Sequence, residues 1–189
     1  MLSATKGRWA LLAALFFSAA QAQVGDKLAA CAGCHGADGN SAIAGTPSIA
    51  AQPQIFLENY LVMTREGIRG SEVMQKLLKG APDKDLVALA KHFTALKAAG
   101  TKDPADKKLF QKGKDIAAKN RCASCHRPDF HGREQMPRLA GQREEFLAEV
   151  MLQYRQDRRP GGDTLMAAAL YGIPETDFKA LAHYFSRLK

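Results

Sequence analysis

Aromatic side chains are scarce in this 189-residue chain: one Trp, four Tyr and nine Phe, 7% of the whole. That is thin material for a buried core, and small domains short of bulk need a staple, a metal or an organic group to fold around. Strand-like alternation is also scarce, which argues against sandwich and barrel classes and leaves helices. The length excludes enzyme barrels of about 250 residues. No apolar run reaches the roughly 20 residues that a spanning helix needs. With 46% hydrophobic and 24% charged residues the chain is not of the disordered kind. Acidic residues are the minority charge, 19 against 27 Lys and Arg, for a formal +8. Cysteine is limited to four, and their placement is the most informative feature of the chain.

The first 22 residues read as an address rather than as part of the fold. Lys6 and Arg8 precede an apolar run from Trp9 to Phe17, followed by Ser18-Ala19-Ala20-Gln21-Ala22. A charged start, a greasy middle and an Ala-x-Ala end form a secretory leader. Cleavage after Ala22 leaves 167 residues from Gln23, without Trp9, and the two positive charges removed leave +6. An uncleaved membrane anchor is the competing reading. The expected destination is the periplasm.

The remainder is one unit written twice. Cys31-Ala32-Gly33-Cys34-His35 recurs 91 residues later as Cys122-Ala123-Ser124-Cys125-His126. Pro47-Ser48-Ile49-Ala50-Ala51-Gln52 recurs 90 residues later as Pro137-Arg138-Leu139-Ala140-Gly141-Gln142. Met74 to Phe93 aligns without a gap on Met166 to Phe185, with nine of twenty positions identical. Two domains are expected, 23–99 and 109–189, joined by a linker over 100–108 that holds Gly100 and Pro104. Leu86, Leu89, Ala90, Phe93 and Leu96 share one helical face, and Phe178, Leu181, Ala182, Phe185 and Leu188 repeat it. Gly25 and Gly113, in short helical patterns before the Cys pairs, are expected where two helices approach closely. Each half is therefore a small all-α bundle.

Cys-x-x-Cys followed at once by His is the attachment pattern of c-type haem. Two thiols, Cys31 with Cys34 and Cys122 with Cys125, add to the vinyl groups of a porphyrin as thioethers. His35 and His126 then meet the iron as proximal ligands. Two such groups also supply the bulk that the side chains lack. Two other chemistries fit paired cysteines: a four-thiolate zinc site, and redox or structural disulfides of an exported protein. A His in the same place in both copies favours two covalently bound haems.

A sixth iron ligand is sought on the far side of each ring. Met74 lies 39 residues after His35 and Met166 lies 40 after His126, each opening a Met-x-x-x-Leu-x-Gly-x-Pro block. Thioether ligation there gives His/Met coordination, which raises the reduction potential. A Met beside a helix is otherwise ordinary core filler, the role that suits Met63, Met136 and Met151. Gly161-Gly162 lengthens the loop before Met166. With both axial positions filled, outer-sphere electron transfer is expected rather than catalysis at iron. His92, His131 and His183 have no matching histidine in the other repeat and are assigned surface or packing roles.

The run CAGCHGADGNSAIAGTPSIAAQ, the block PRLAGQ followed by FLAEVMLQYRQDRR, and the two Met-to-helix blocks resemble two-haem class I cytochromes c. The resemblance spans nearly all of residues 23–189. It is shared between the c-four type and the cytochrome subunit of flavocytochrome c sulfide dehydrogenase, which the segment Tyr154 to Pro160 resembles. It implies two cytochrome folds about a pseudo-twofold axis, in a periplasmic electron carrier. The alternative is the electron-accepting subunit of a flavoprotein dehydrogenase. A dihaem peroxidase, which needs an open iron position, ranks below both.

Cations gather in three places: Arg65, Arg69, Lys76 and Lys79; Arg155, Arg158 and Arg159; and Lys107, Lys108, Lys112, Lys114 and Lys119. Such fields steer association with redox proteins that present acidic docking surfaces, and attract anionic membrane surfaces. A solvated basic surface is the plainer reading. Nucleic acid is not expected as a partner in the exported compartment.

Overall fold

Both Cys-x-x-Cys-His motifs lie at the end of a helix. The computed structural model describes residues 25–189, so the leader assigned to residues 1–22 lies outside the described residues. Helix α1 runs through 25–35. Its counterpart is split into α5 (Lys107–Lys119) and a single turn, α6 (Ala123–His126). The first half continues with α2 (Gln54–Arg65), α3 (Glu72–Leu78) and α4 (Asp83–Ala95). The second continues with α7 (Glu144–Arg155), α8 (Thr164–Leu170) and a 3-10 turn, Glu175–Asp177, that runs into α9 (Phe178–Ser186). Helix starts follow the sequence repeat, with α2 and α7 90 residues apart and α3 and α8 92 apart. Among the described residues there is no strand, only an isolated bridge between Arg133 and Met136. None of the described helices is long and apolar enough to cross a membrane.

Matching residues start the matching helices. The Ser71 hydroxyl accepts from the Met74 amide at 3.4 Å, and the Asp163 carboxylate accepts from the Leu165 amide at 2.7 Å. Each satisfies a donor that the first turn leaves free. Asp106 caps α5 by accepting from Lys108 and Leu109 at 2.8 and 3.1 Å. Those amides hold its carboxyl below the usual carboxylate range.

The amphipathic faces pack as their periodicity predicts. Leu86, Leu89, Ala90 and Phe93 of α4 are buried over α2, and Phe178, Leu181, Ala182 and Phe185 of α9 are buried against α5 and α7. Gly113 permits the closest of these approaches: a Cβ there would sit 2.0 Å from the Ala180 carbonyl oxygen. The same expectation fails at Gly25, where an added Cβ meets nothing within 4 Å. Gly113 lies nine residues before Cys122 but Gly25 only six before Cys31, so the two do not occupy one position. Ion pairs Lys27–Asp85 at 3.2 Å and Lys112–Asp177 at 2.6 Å tie the opening helix of each half to the start of its last.

The halves meet through the two Pro-x-x-Ala-x-Gln segments, each glutamine reaching into the other domain's backbone. The Gln142 side chain accepts from the Ser48 amide at 2.7 Å and donates to the Ser48 carbonyl at 2.8 Å. Gln52 accepts from the Arg138 amide at 2.9 Å and donates to the Arg138 carbonyl at 3.1 Å. Ser48 and Arg138 are equivalent positions, so the exchange obeys a local twofold axis. Beside it Arg138, only 2% exposed, donates to Ala50 O at 2.9 Å across the joint and to Ala140 O within its own domain. Further out Arg69 lies over the Tyr60 ring and donates to the Tyr154 hydroxyl at 3.2 Å.

Candidate haem-binding sites

Each site starts from a helix that ends on its histidine. Cys31 and Cys34, three apart on α1, and Cys122 and Cys125 around α6, lie on one side of a helical turn. The chain then leaves through a positive φ, 82° at Gly36 and 72° at Arg127. Cys31 is buried, Cys122 half-buried, and Cys34 and Cys125 exposed. Burial pushes the Cys31 and Cys122 thiols up from their ordinary value.

His35 and His126 are both 6% exposed. The Nδ1 atom of His35 lies 2.8 Å from Pro47 O, and that of His126 lies 2.9 Å from Pro137 O. A carbonyl only accepts, so Nδ1 carries the proton and Nε2 keeps its lone pair. Burial pushes both imidazoles below the ordinary histidine value, and the proline carbonyl pulls back less strongly. A neutral ring oriented from behind by a carbonyl is the form in which histidine ligates metals.

Met74 and Met166 are half-buried near the starts of α3 and α8, each against the core of its own domain. Met151, 5% exposed, is core filler. The other histidines have local work. His92 is exposed beside the Phe93 ring, and His131 sits 3.1 Å from Lys189 O. Buried His183 accepts from the Asp106 amide and donates to Glu144 at 3.0 Å.

The donor set fits haem better than zinc. The two thiol pairs belong to different domains, and among the described residues no three His, Cys, Asp or Glu side chains converge to hold a metal ion. Arg138 adds a second sign. Its guanidinium makes no ion pair among the described residues, its Nε has no partner, and desolvation lowers its pKa to about 10. A buried cation without a counter-charge suits a ligand that carries carboxylates, as haem does.

Sequence reasoning found the Pro-x-x-Ala-x-Gln blocks as repeats but attached no chemistry to them. The structure gives them two tasks, since Pro47 and Pro137 hold the histidines while Gln52 and Gln142 hold the domains together. The spacing of that block behind each Cys-x-x-Cys-His was the signal that could have found them.

The family model for cytochrome c matches residues 22–99 and again 110–189. A cytochrome c4 of Pseudomonas aeruginosa is 31% identical over 187 residues, covering 94% of this chain and 93% of that protein. A protein of Thiomonas intermedia described as a thiosulfate dehydrogenase electron acceptor is 30% identical over 188 residues, covering 92% and 85%. The crystal structure of reduced cytochrome c4 from Pseudomonas stutzeri superposes with a TM-score of 0.80 at 28% identity, covering 89% of this chain and 98% of that one. With the site residues doubled in step with the fold, the chain belongs to the cytochrome c family, as a two-haem class I cytochrome with two covalently attached haem c groups that transfers electrons.

Proposed function

We propose that the chain is a periplasmic electron carrier, exported by a leader cleaved after Ala22. Its domains are 23–99 and 109–189, and both haems have His/Met ligation. In this reading Cys31, Cys34, Cys122 and Cys125 would hold the two porphyrins, and His35 with Met74 and His126 with Met166 would ligate their irons. Haem supplies a one-electron couple at each site. The chain orients the imidazoles through the Pro47 and Pro137 carbonyls, keeps them neutral, and buries a cation, Arg138, that would offset the charge of the ligand's carboxylates. The observation that carries the reading is the pair of buried, Nδ1-tethered histidines, each closing a Cys-x-x-Cys helix whose domain also packs a half-buried Met, Met74 or Met166, against its core.

Partner contact is outer-sphere. Val73 and Leu165, 70% and 76% exposed, stand one residue before the two methionines and offer small apolar contacts there. Arg65, Lys76, Lys112 and Arg158 are engaged in ion pairs. Steering of acidic partners therefore falls chiefly to the exposed Lys107, Lys108, Lys114 and Lys119 of α5. The docking rate should fall as ionic strength rises, and a flat dependence removes the steering. A second reading, a dedicated acceptor subunit for a dehydrogenase acting on an inorganic sulfur compound, is favoured by the relative described as a thiosulfate dehydrogenase electron acceptor. Stoichiometric co-purification of a dehydrogenase selects it, and a freely dissociating cytochrome selects the carrier.

The test is the protein exported from a host that attaches haem. The expected intact mass under denaturing conditions is that of residues 23–189 plus two haems. The ferric protein should show the near-infrared band of thioether-ligated haem, halved by Met74→His or Met166→His and abolished by both. A haem-free mass overturns the reading, and a band that survives both substitutions overturns the methionine ligands.

A further inference from the structure

The peptide between Pro47 and Ser48 is held at both ends. Its carbonyl accepts from His35 Nδ1 at 2.8 Å, and its N–H donates to Gln142 Oε1, in the other domain, at 2.7 Å. The peptide between Pro137 and Arg138 is held in the same way, by His126 Nδ1 at 2.9 Å and by Gln52 Oε1 at 2.9 Å. One planar amide thus joins a haem-side histidine to a glutamine of the opposite domain, twice. Ser48, Gln52, Arg138 and Gln142 are all buried, so water does not compete for these bonds. The glutamines are anchored in turn. Gln142 Oε1 also accepts from the Arg143 amide at 2.9 Å, and the Gln52 carbonyl accepts from Thr94 Oγ1 at 2.9 Å.

We propose that Gln52 and Gln142 are crossed positioning residues, each setting the reduction potential of the haem in the other domain through the peptide behind its proximal histidine. The inference rests on His35 and His126 being the iron ligands. Hydrogen bonds in series polarise one another. An acceptor on the amide N–H draws its proton away and raises electron density on the amide oxygen. That oxygen then pulls harder on the histidine Nδ1 proton, and the imidazole becomes a stronger donor to iron. Stronger donation favours the ferric state and lowers the potential. The first haem is governed by Gln142 and the second by Gln52, so the joint between the domains is also part of each iron's surroundings.

The experiment is a redox titration of the full two-haem protein, with each haem followed by its own paramagnetically shifted methyl resonances. Gln142→Leu should raise the potential of the first haem and move the second much less, and Gln52→Leu should do the reverse. The expected size is about a threefold change in the oxidised-to-reduced ratio at fixed potential, or about 28 mV at about 59 mV per tenfold for one electron. Gln142→Glu keeps an oxygen facing the Ser48 amide whether or not it is ionised, so it should not raise the first potential. A merely loosened interface would move both haems together in all three proteins, and that pattern overturns the proposal. No movement in either Leu variant overturns it as well. If a Leu variant fails to take up haem, Gln142→Glu carries the test alone, and an upward shift of the first haem in it overturns the relay. The ligand reading is tested separately with His35→Ala, where the first haem should lose its low-spin spectrum. If it keeps that spectrum the ligand reading and the relay both fall; if it loses it and the crossed pattern is missing, only the relay falls.

Discussion

In the first domain Gly39 stands where the second has Phe130. Both have positive φ, 73° and 57°. Both carbonyls accept two amides of the facing segment, from Ile49 and Ala50 in one domain and from Leu139 and Ala140 in the other. The path of the chain is therefore the same and the volume is not. The Phe130 ring packs 5.8 Å from Tyr184 and 4.9 Å from Phe185, and Phe110 joins them at 5.1 Å from Tyr184. In the first domain the places of Tyr184 and Phe185 are held by His92, which is exposed, and Phe93. Among the described residues of the first domain, Phe93 is the one aromatic in the buried core. One copy builds part of its core from its own rings and the other leans more on the group it attaches.

The largest expected consequence lies in the haem-free protein. Without haem the first domain should lose protease resistance well before the second, with cuts mapped by mass spectrometry falling before residue 100. Cuts confined to the second half would break the comparison. Next in size are substitutions at the shared position. Phe130→Ala should cost about 3 kcal/mol of second-domain stability by denaturant titration, the usual loss for a buried ring. Gly39→Ala should cost the first domain less, about 1–2 kcal/mol, because a Cβ there lies 3.0 Å from the Ala50 nitrogen at an unfavourable φ.

Charge also separates the two domains. Arg138 puts a buried cation where the first domain has Ser48, and a cation favours the ferrous state, so Arg138→Ser should lower at least one haem potential by a few-fold in the oxidised-to-reduced ratio. Unchanged potentials would show that the charge is neutralised elsewhere. The smallest effect concerns the residue after each histidine. Arg127 holds φ 72° and ψ 159°, a region suited to glycine, where the first domain has Gly36. Arg127→Gly should relieve about 1–3 kcal/mol of strain. Against that stands about 0.5–1 kcal/mol of unfolded-chain entropy, for a net gain of about 1 kcal/mol. Thermal unfolding of the holoprotein measures it, and a lower midpoint would contradict the strain.

Much of the fold and of the haem sites is legible in the sequence, for reasons that differ by residue. Helices α4 and α9 declare themselves because one face must be apolar every third or fourth residue. The Cys-x-x-Cys-His motifs are legible because covalent attachment tolerates little variation. Gly25 misleads because a glycine before a Cys pair looks alike at either distance, whereas contact depends on which turn meets the last helix. Arg138 is legible only as part of a repeat, since burial of a charge leaves no mark in local pattern. The pairing of Gln52 with Arg138 and of Gln142 with Ser48 joins residues 86 and 94 apart. No periodicity reports a contact of that kind.

The exchange at the joint has a bearing on descent. Because each glutamine gives to its neighbour what it receives, the contact is isologous, the kind that a single such domain makes with an identical copy of itself. Two free domains bearing this segment already carry the means to form a symmetric dimer, and a linker then adds local concentration rather than geometry. Fusion also releases the copies from identity. A change such as Ser48 against Arg138 can be made on one side alone, and a symmetric pair becomes a molecule with two unlike ends.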